Sequence, residues 1–307
     1  MNPLRGIILK TISVFCFVIM SSLIKATSGH VPPGEAVFFR SFFAIPIILG
    51  WLALRGDLKT GLKVASPLGH FWRGFVGTAA MGLMFTSLGM LPLPEVTAIG
   101  YAAPILVVIF AAMFLNEQVG IFRLGAVGLG LVGVMIVLSP RLTTFTGPNM
   151  ESVQALGALV ALAGAGCAAL AQVYVRKLVQ TEQTAAIVFF FSLSSTIFSL
   201  FTLPFGWVMP GAYEATLLIL AGFIGGLGQI CLTSAYRFAD ASVVAPFDYS
   251  SMIFALAIGY LVFTEVPTPQ TLLGAGIVIL AGVIIILREH RLGLERGRAR
   301  KNMTPQG

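Results

Sequence analysis

Charged side chains inside apolar segments are the residues of this sequence that could do chemistry. A charge in a bilayer costs at least about 2.5 to 3.5 kcal/mol on insertion scales, so a retained charge indicates a function or a strong partner. Asp248 lies about 9 Å from the start of one apolar segment at the α-helical rise per residue. With Tyr249, Ser250 and Ser251 beside it, Asp248 could bind a proton or a polar substrate. It could equally be a structural acid that accepts hydrogen bonds from those hydroxyl groups.

Arg40 lies at a similar depth in another apolar segment, within the aromatic run VFFRSFF. It could attract an anionic or polar substrate, or it could join two helices through backbone carbonyl groups. Arg40 and Asp248 are expected to enter the membrane from opposite faces, so no direct salt bridge between them is predicted.

Uncharged polar side chains supply further candidates for a binding site. Tyr101 and Tyr249 lie at matching positions of two similar segments, and we expect them to face each other and line a shared cavity. Gln172 and Gln229 are further polar groups predicted for that cavity. The alternative for each tyrosine is a place in the aromatic belt at the membrane interface.

Paired phenylalanines recur at Phe38 and Phe39 and at Phe189 and Phe190. They could stack on a flat aromatic substrate such as a flavin, because aromatic faces favour offset stacking. The alternative is packing against other helices or lipid.

The elements that hold these residues occur twice. A constant shift of 148 residues takes Gly74 to Gly222, Tyr101 to Tyr249 and Glu117 to Glu265, and a shift of 151 relates the first two segments of each half. A self-match of this length indicates a duplicated chain. The two glutamates end their segments and are predicted to anchor the helix that follows. Pro104 and Pro246 do not occupy equivalent positions, so a symmetric hinge is not predicted.

Composition makes the chain an integral membrane protein. Of its 307 residues 57% are hydrophobic and 10% charged, and the mean hydropathy is +0.94. At about 20 residues per crossing, the sequence predicts ten helices, near 7–27, 34–54, 73–90, 96–115, 121–138, 154–174, 184–204, 215–236, 242–263 and 270–287.

The basic residues predict the orientation. With both termini in the cytoplasm, 16 of the 19 Lys and Arg residues, Arg73 among them, lie on the cytoplasmic side, as the positive-inside rule requires. The pI near 9.6 is therefore explained by topology, and no nucleic-acid partner is expected.

The predicted fold class is an all-α integral membrane protein whose ten transmembrane helices form two inverted five-helix repeats. Because five is odd, the second repeat is upside down relative to the first, as in secondary transporters. The repeats cover residues 6–138 and 154–287, joined by an external linker, 139–153, and followed by a basic cytoplasmic tail, 288–307. Two similar, opposed halves can expose one midplane site to each side in turn.

Two matching stretches, PILVVIFAAMFLNEQVGIFRLGAVGLGLVGVMIVL and IFALAIGYLVFTEVPTPQTLLGAGIVILAGVIII, carry a family resemblance together with the arginine of VFFRSFFAIP. In these features the chain resembles the EamA family of the drug/metabolite transporter superfamily. The resemblance implies ten helices around a central cavity and movement of small metabolites without ATP. Among bacterial members the chain is most similar to riboflavin importers, in its FFRSFF run and the Pro-Leu-Pro-Glu before span four.

Other functions have less support in the sequence. It contains no G-x-x-x-x-G-K-[ST] phosphate loop, and His30, His70 and His290 fall in predicted loops, so neither a cofactor nor a metal is expected. The expected partners are a small-molecule substrate and the lipid of a bacterial inner membrane. Riboflavin uptake is the specific prediction. Export of amino acids or other metabolites remains an alternative, and a membrane-embedded enzyme or a channel is a weaker one.

Overall fold

The structure is a computed structural model that describes residues 3–56, 61–115, 121–142, 150–179, 181–238 and 245–302. Within these ranges the chain is helical and contains no β-strand. The helices are α1 Pro3–Thr27, α2 Pro33–Phe42, α3 Ala44–Leu54, α4 Pro67–Met90, α5 Leu93–Gly100, α6 Ala102–Leu115, α7 Ile121–Leu142, α8 Met150–Leu178, α9 Thr184–Leu200, α10 Ala212–Phe238, α11 Ser250–Phe263 and α12 Pro269–Asn302. Short 3₁₀ segments occur at Leu203–Phe205 and Ala245–Tyr249.

The lengths and composition of these helices make the chain a multi-pass membrane protein. Four stretches are long and apolar enough to cross a bilayer, namely Leu4–Thr27, Pro33–Leu54, Ser152–Val175 and Ala212–Ala235. Five shorter apolar stretches lie in α5–α6, in α7, in α9, in α11 with the 3₁₀ residues before it, and in α12. Together with α4, of 24 residues, they fit the ten predicted spans.

Two spans that the sequence predicts as single helices are broken. The break between α2 and α3 lies at Phe43, and the break between α5 and α6 lies at Tyr101. Each break falls three residues before a proline, Pro46 or Pro104. Proline lacks a backbone N–H and its ring crowds the preceding turn, so it interrupts the helix at that point.

Span nine also departs from a regular α-helix. Its described part contains the 3₁₀ segment Ala245–Tyr249, which includes Pro246, and the regular helix α11 starts directly after Tyr249. The interruptions at Tyr101 and Tyr249 are therefore at equivalent positions although the prolines are not. The two spans thus depart from regular α-helix at repeat-equivalent tyrosines, with their prolines at different offsets.

The two halves of the chain are interleaved. Helix α1 packs along α10, α4 along α8, α7 along α12, and α2 against α9. Each of these pairs joins one helix from each half. Glycines permit a further close approach, of α10 to the α2–α3 junction: a Cβ on Gly222 would lie 2.5 Å from the Phe43 Cβ, and one on Gly226 would lie 3.1 Å from the Ala44 Cα. A side chain at either glycine would push α10 away from this junction.

Candidate functional site

Arg40 lies on α2 with its guanidinium group enclosed by protein. Only 2% of the residue is exposed, and its Cζ atom lies 5.4 Å from the centroid of the Phe191 ring on α9. Its Nε and Nη1 atoms have no hydrogen-bond partner in the described part of the chain. The side chain is thus a buried cation with unused donors.

Arg73, on α4, faces the same ring. Its Cζ atom is 3.8 Å from the Phe191 centroid and the residue is 7% exposed. Its Nε and Nη1 atoms also lack partners among the described residues. The sequence assigned Arg73 to the cytoplasmic flank because span three was predicted to begin there. Helix α4 in fact begins at Pro67, so Arg73 is more than a full turn inside it.

Two glycines make room for the arginines. A Cβ on Gly77 would collide with Arg73 Nη1 and would approach the Phe191 ring, and a Cβ on Gly225 would lie 3.3 Å from Arg40 Nε. A larger residue at either position would displace a guanidinium group or the ring. The shift of 148 residues also takes Gly77 to Gly225, but the sequence gives no sign of what the two glycines contact.

Two buried hydroxyl groups follow Arg40 and Phe191 along the chain. Ser41 follows Arg40 and Ser192 follows Phe191, and both residues are fully or almost fully buried. Neither Oγ atom has a hydrogen-bond partner within the described ranges. Buried polar groups in native proteins are normally hydrogen-bonded. Arg40 and Arg73 both contact the Phe191 ring, and both have buried donors without a partner within the described ranges. We call Arg40, Arg73 and Phe191 the arginine site.

The two predicted tyrosines contact each other. Their rings pack edge to face with centroids 5.2 Å apart. The Tyr101 hydroxyl donates to the Tyr249 carbonyl oxygen at 3.2 Å and lies 2.8 Å from Ser251 Oγ. Both residues are buried in the hydrophobic core. The structure thus brings the pair together, and its part in substrate binding stays a prediction.

Asp248 has a different partner from those considered in the sequence. Its Oδ1 atom lies 2.7 Å from Lys10 Nζ on α1, and the two side chains are 39% and 3% exposed. Ser250 and Ser251 donate instead to the backbone carbonyls of Phe247 and Asp248. The carboxylate is therefore the exposed member of an ion pair with a buried lysine, which the sequence counted as a flanking cation.

A second ion pair joins α1 to the end of span nine. Lys25 Nζ lies 3.0 Å from Glu265 Oε1 and also donates to the carbonyls of Leu88 and Leu91. Glu265 Oε2 accepts from the Leu93 backbone N–H at 2.8 Å. Glu265 thus ties α1, the α4–α5 turn and the end of α11 together. Its repeat equivalent, Glu117, lies outside the described residues.

The two predicted glutamines differ in exposure. Gln172 on α8 is exposed and Gln229 on α10 is buried. Neither side chain has a hydrogen bond to the tyrosine pair within the described ranges, and their predicted place in a cavity remains a prediction.

The comparisons with known proteins decide the family. The model of the EamA-like transporter family matches residues 4–139 and 155–288. The chain belongs to the EamA-like transporter family. The resemblance seen in the sequence is confirmed.

Relatives of this EamA-like transporter are named for several substrates. A pseudopaline exporter of Pseudomonas aeruginosa is 27% identical, over 91% of this chain and 95% of the relative. An S-adenosylmethionine uptake transporter of Rickettsia bellii is 27% identical, over 92% and 97%. A riboflavin transporter of Vibrio cholerae is 28% identical, over 92% and 93%. All three are named as transporters, and the chain is accordingly a bacterial membrane transporter of a small metabolite.

A crystal structure with 18% sequence identity shares the fold. It superposes with a TM-score of 0.66 and covers 94% of this chain and 98% of its own.

Proposed function

We propose that this EamA-like transporter is a secondary transporter of the bacterial inner membrane that works by alternating access, with both termini in the cytoplasm. Its two inverted repeats, residues 6–138 and 154–287, enclose one substrate site between them. The single observation that carries the proposal is a pair of equivalent contacts between α4 and α9 and between α10 and α2.

These contacts follow the repeat. Gly77 of α4 lies against Phe191 of α9, and Gly225 of α10 lies against Arg40 of α2. The repeat shifts take Gly77 to Gly225 and Arg40 to Phe191. The same holds for Gly74 against Ser194 and Gly222 against Phe43, which are also repeat equivalents. Each half thus makes the same contact with the other, as expected for a pseudo-twofold axis near the α2–α9 contact. The two ranges that match the family model support the same division.

Two ion pairs of α1 lie on opposite sides of the arginine site along the helix. A Cβ on Gly225 would approach both Arg40 and Met20 of α1, so the arginine site lies beside Met20. By the rise of an α-helix, Lys25 is about 7 Å beyond Met20 and Lys10 about 15 Å before it. Both lysines bind carboxylates of span nine. With a cytoplasmic N-terminus, the Lys25 pair lies toward the outside and the Lys10 pair toward the inside.

Alternating access assigns a role to each pair. Opening the site to the outside requires α1 and span nine to separate at Lys25 and Glu265, while Lys10 and Asp248 stay joined. Opening to the inside requires Lys10 and Asp248 to separate while Lys25 and Glu265 stay joined. Each pair then acts as a gate contact in one state.

Riboflavin uptake is the specific substrate prediction, and the Vibrio cholerae relative supports it. The Rickettsia relative supports S-adenosylmethionine uptake as a second candidate. The Pseudomonas relative supports export as the alternative direction.

Transport by cells and vesicles tests these alternatives. The chain is expressed in a bacterial strain that can neither make nor import riboflavin, and growth and uptake of labelled riboflavin are measured, with labelled S-adenosylmethionine in parallel. We expect saturable uptake of at least one of them, inhibited by the unlabelled compound, and counterflow in reconstituted vesicles. Everted vesicles measure export in the same way. Flux that rises linearly with concentration and shows no counterflow would indicate a channel and contradict the proposal.

A further inference from the structure

We propose that Arg40 and Arg73 bind an anionic group of the transported substrate, most simply a carboxylate, beside the Phe191 ring. This inference rests on the proposed function and names the substrate class as a small organic anion.

The buried Nε and Nη1 donors of the two arginines have no protein acceptor within the described ranges. No carboxylate of those ranges forms an ion pair with either side chain, whereas Lys10 and Lys25 each have one. The structural alternative, in which Arg40 joins helices through backbone carbonyls, finds no support in these atoms.

A bound anion would also reduce the electrostatic cost of the two buried cations. Two like charges in a membrane interior are costly unless an opposite charge accompanies them. The face of one phenyl ring attracts a cation, but the single Phe191 ring serves both guanidinium groups. A bound anion would offset both charges at once.

The shape of the two guanidinium groups also suits an anionic ligand. Guanidinium groups match carboxylate and phosphate oxygens with paired N–H donors. Both Cζ atoms lie within 5.4 Å of the centroid of the same ring, and in this proposal one small anion accepts hydrogen bonds from both groups. The ring offers an apolar face to the remainder of an aromatic or aliphatic acid.

The position suits a transported ligand. Arg40 and Arg73 come from the first repeat and Phe191 from the second, so the site is complete only when the halves are together. A ligand held by both halves is sensitive to their relative movement, as alternating access requires.

Matched ligand pairs that differ in charge test the assignment. The full-length protein is purified in detergent, and Tm and Kd are measured with benzoate and benzamide, with riboflavin 5′-phosphate and riboflavin, and with sodium chloride at equal concentration. We expect at least one of the two organic anions to raise Tm above its neutral partner and above chloride. Arg40→Gln and Arg73→Gln should each raise the Kd by about tenfold or more, since hydrogen bonds to charged groups are the strong ones.

Arg55→Gln is the matched control, because Arg55 is exposed at the end of α3 over Trp51 and should leave binding unchanged. Equal Tm shifts for the anions and their neutral partners would overturn the proposal, as would no shift with either anion. An equal shift with chloride would mean an inorganic anion occupies the site and would overturn the substrate assignment.

A second test compares two variants of the ring position. Phe191→Glu places a carboxylate beside the two arginines, and Phe191→Gln is its uncharged isostere. We expect the glutamate variant to have the higher Tm and to be insensitive to benzoate. A glutamate variant no more stable than the glutamine variant would contradict an anion site.

Reconstituted vesicles separate the two proposals. Charge-dependent binding without saturable transport of any tested solute would retain the anion site and reject the transporter. Saturable transport that survives both arginine substitutions would retain the transporter and reject the site.

Discussion

Lys10 and Lys25 on α1 and the two arginines of the arginine site are all cations inside a membrane protein, but their charges are stabilised in different ways. Each lysine is bound to a carboxylate, at 2.7 Å for Asp248 and 3.0 Å for Glu265. The two arginines share an aromatic ring and have donor atoms without partners in the described part of the chain. The difference shows that the role of a cation inside a membrane protein is indicated by its partner. A paired cation holds elements together, and an unpaired one is available to a ligand.

The largest expected effect breaks a lysine pair. Asp248→Asn leaves Lys10, whose side chain is 3% exposed, without its carboxylate. We expect a loss of about 3 kcal/mol in the free energy of unfolding, the lower end for a buried pair because Asp248 is partly exposed. Lys10→Met combined with Asp248→Asn should recover most of it. Unfolding in mixed micelles measures both, and a single variant as stable as the parent would show that the pair does not hold α1.

The arginines should respond with the opposite sign. Arg73→Gln removes an unpaired buried charge, so we expect stability to be unchanged or to rise by about 1 to 2 kcal/mol. Transport should nevertheless fall by about tenfold or more. The same unfolding assay, paired with transport in vesicles, checks both. A destabilisation as large as that of Asp248→Asn would mean that Arg73 has a structural partner.

Closing the space beside the arginines should also cost stability. A methyl group on Gly77 would collide with Arg73 and the Phe191 ring, whereas nothing lies within 4 Å of one on Gly82 of the same helix. We expect Gly77→Ala to destabilise by about 1 to 3 kcal/mol through overpacking. Gly82→Ala should stabilise α4 slightly, by about 0.5 to 1 kcal/mol. Equal melting temperatures for the two variants would contradict the close contact.

The smallest effect concerns the tyrosine pair. Tyr101→Phe keeps the edge-to-face ring contact but removes the hydroxyl bound to the Tyr249 carbonyl and Ser251. We expect a loss of about 0.5 to 1.5 kcal/mol in stability. Measurement of KM separates the roles. An unchanged KM would indicate packing alone, and a raised KM would support the predicted contact with substrate.

The sequence predicted the spans well because length and hydropathy determine them. It predicted that Tyr101 and Tyr249 face each other from the repeat alone, and the rings are in contact. It did not predict the helix breaks at Phe43 and Tyr101, since a proline three residues later can either kink or end a helix.

The candidate site was harder to predict because pairing is a property of three-dimensional neighbours. In the sequence, Asp248 and Arg40 both looked like isolated charges. In the structure, Asp248 is paired with Lys10, whereas Arg40 has no carboxylate partner within the described ranges. Arg73 was assigned to the flank because the first turns of α4 contain Pro67, His70 and Trp72, which reduce its hydropathy. The repeat held an unused signal, since Arg40 is equivalent to Phe191 and Gly77 to Gly225.

The most direct measurement is an experimental structure of the full-length protein with 4-bromobenzoate, whose bromine is located by its anomalous scattering. An anion site predicts the bromine beside the Phe191 ring, with the carboxylate about 3 Å from donors of both Arg40 and Arg73. Bromine found only elsewhere, or arginine donors occupied by protein carbonyl or carboxylate oxygens, would contradict the division between paired and unpaired cations.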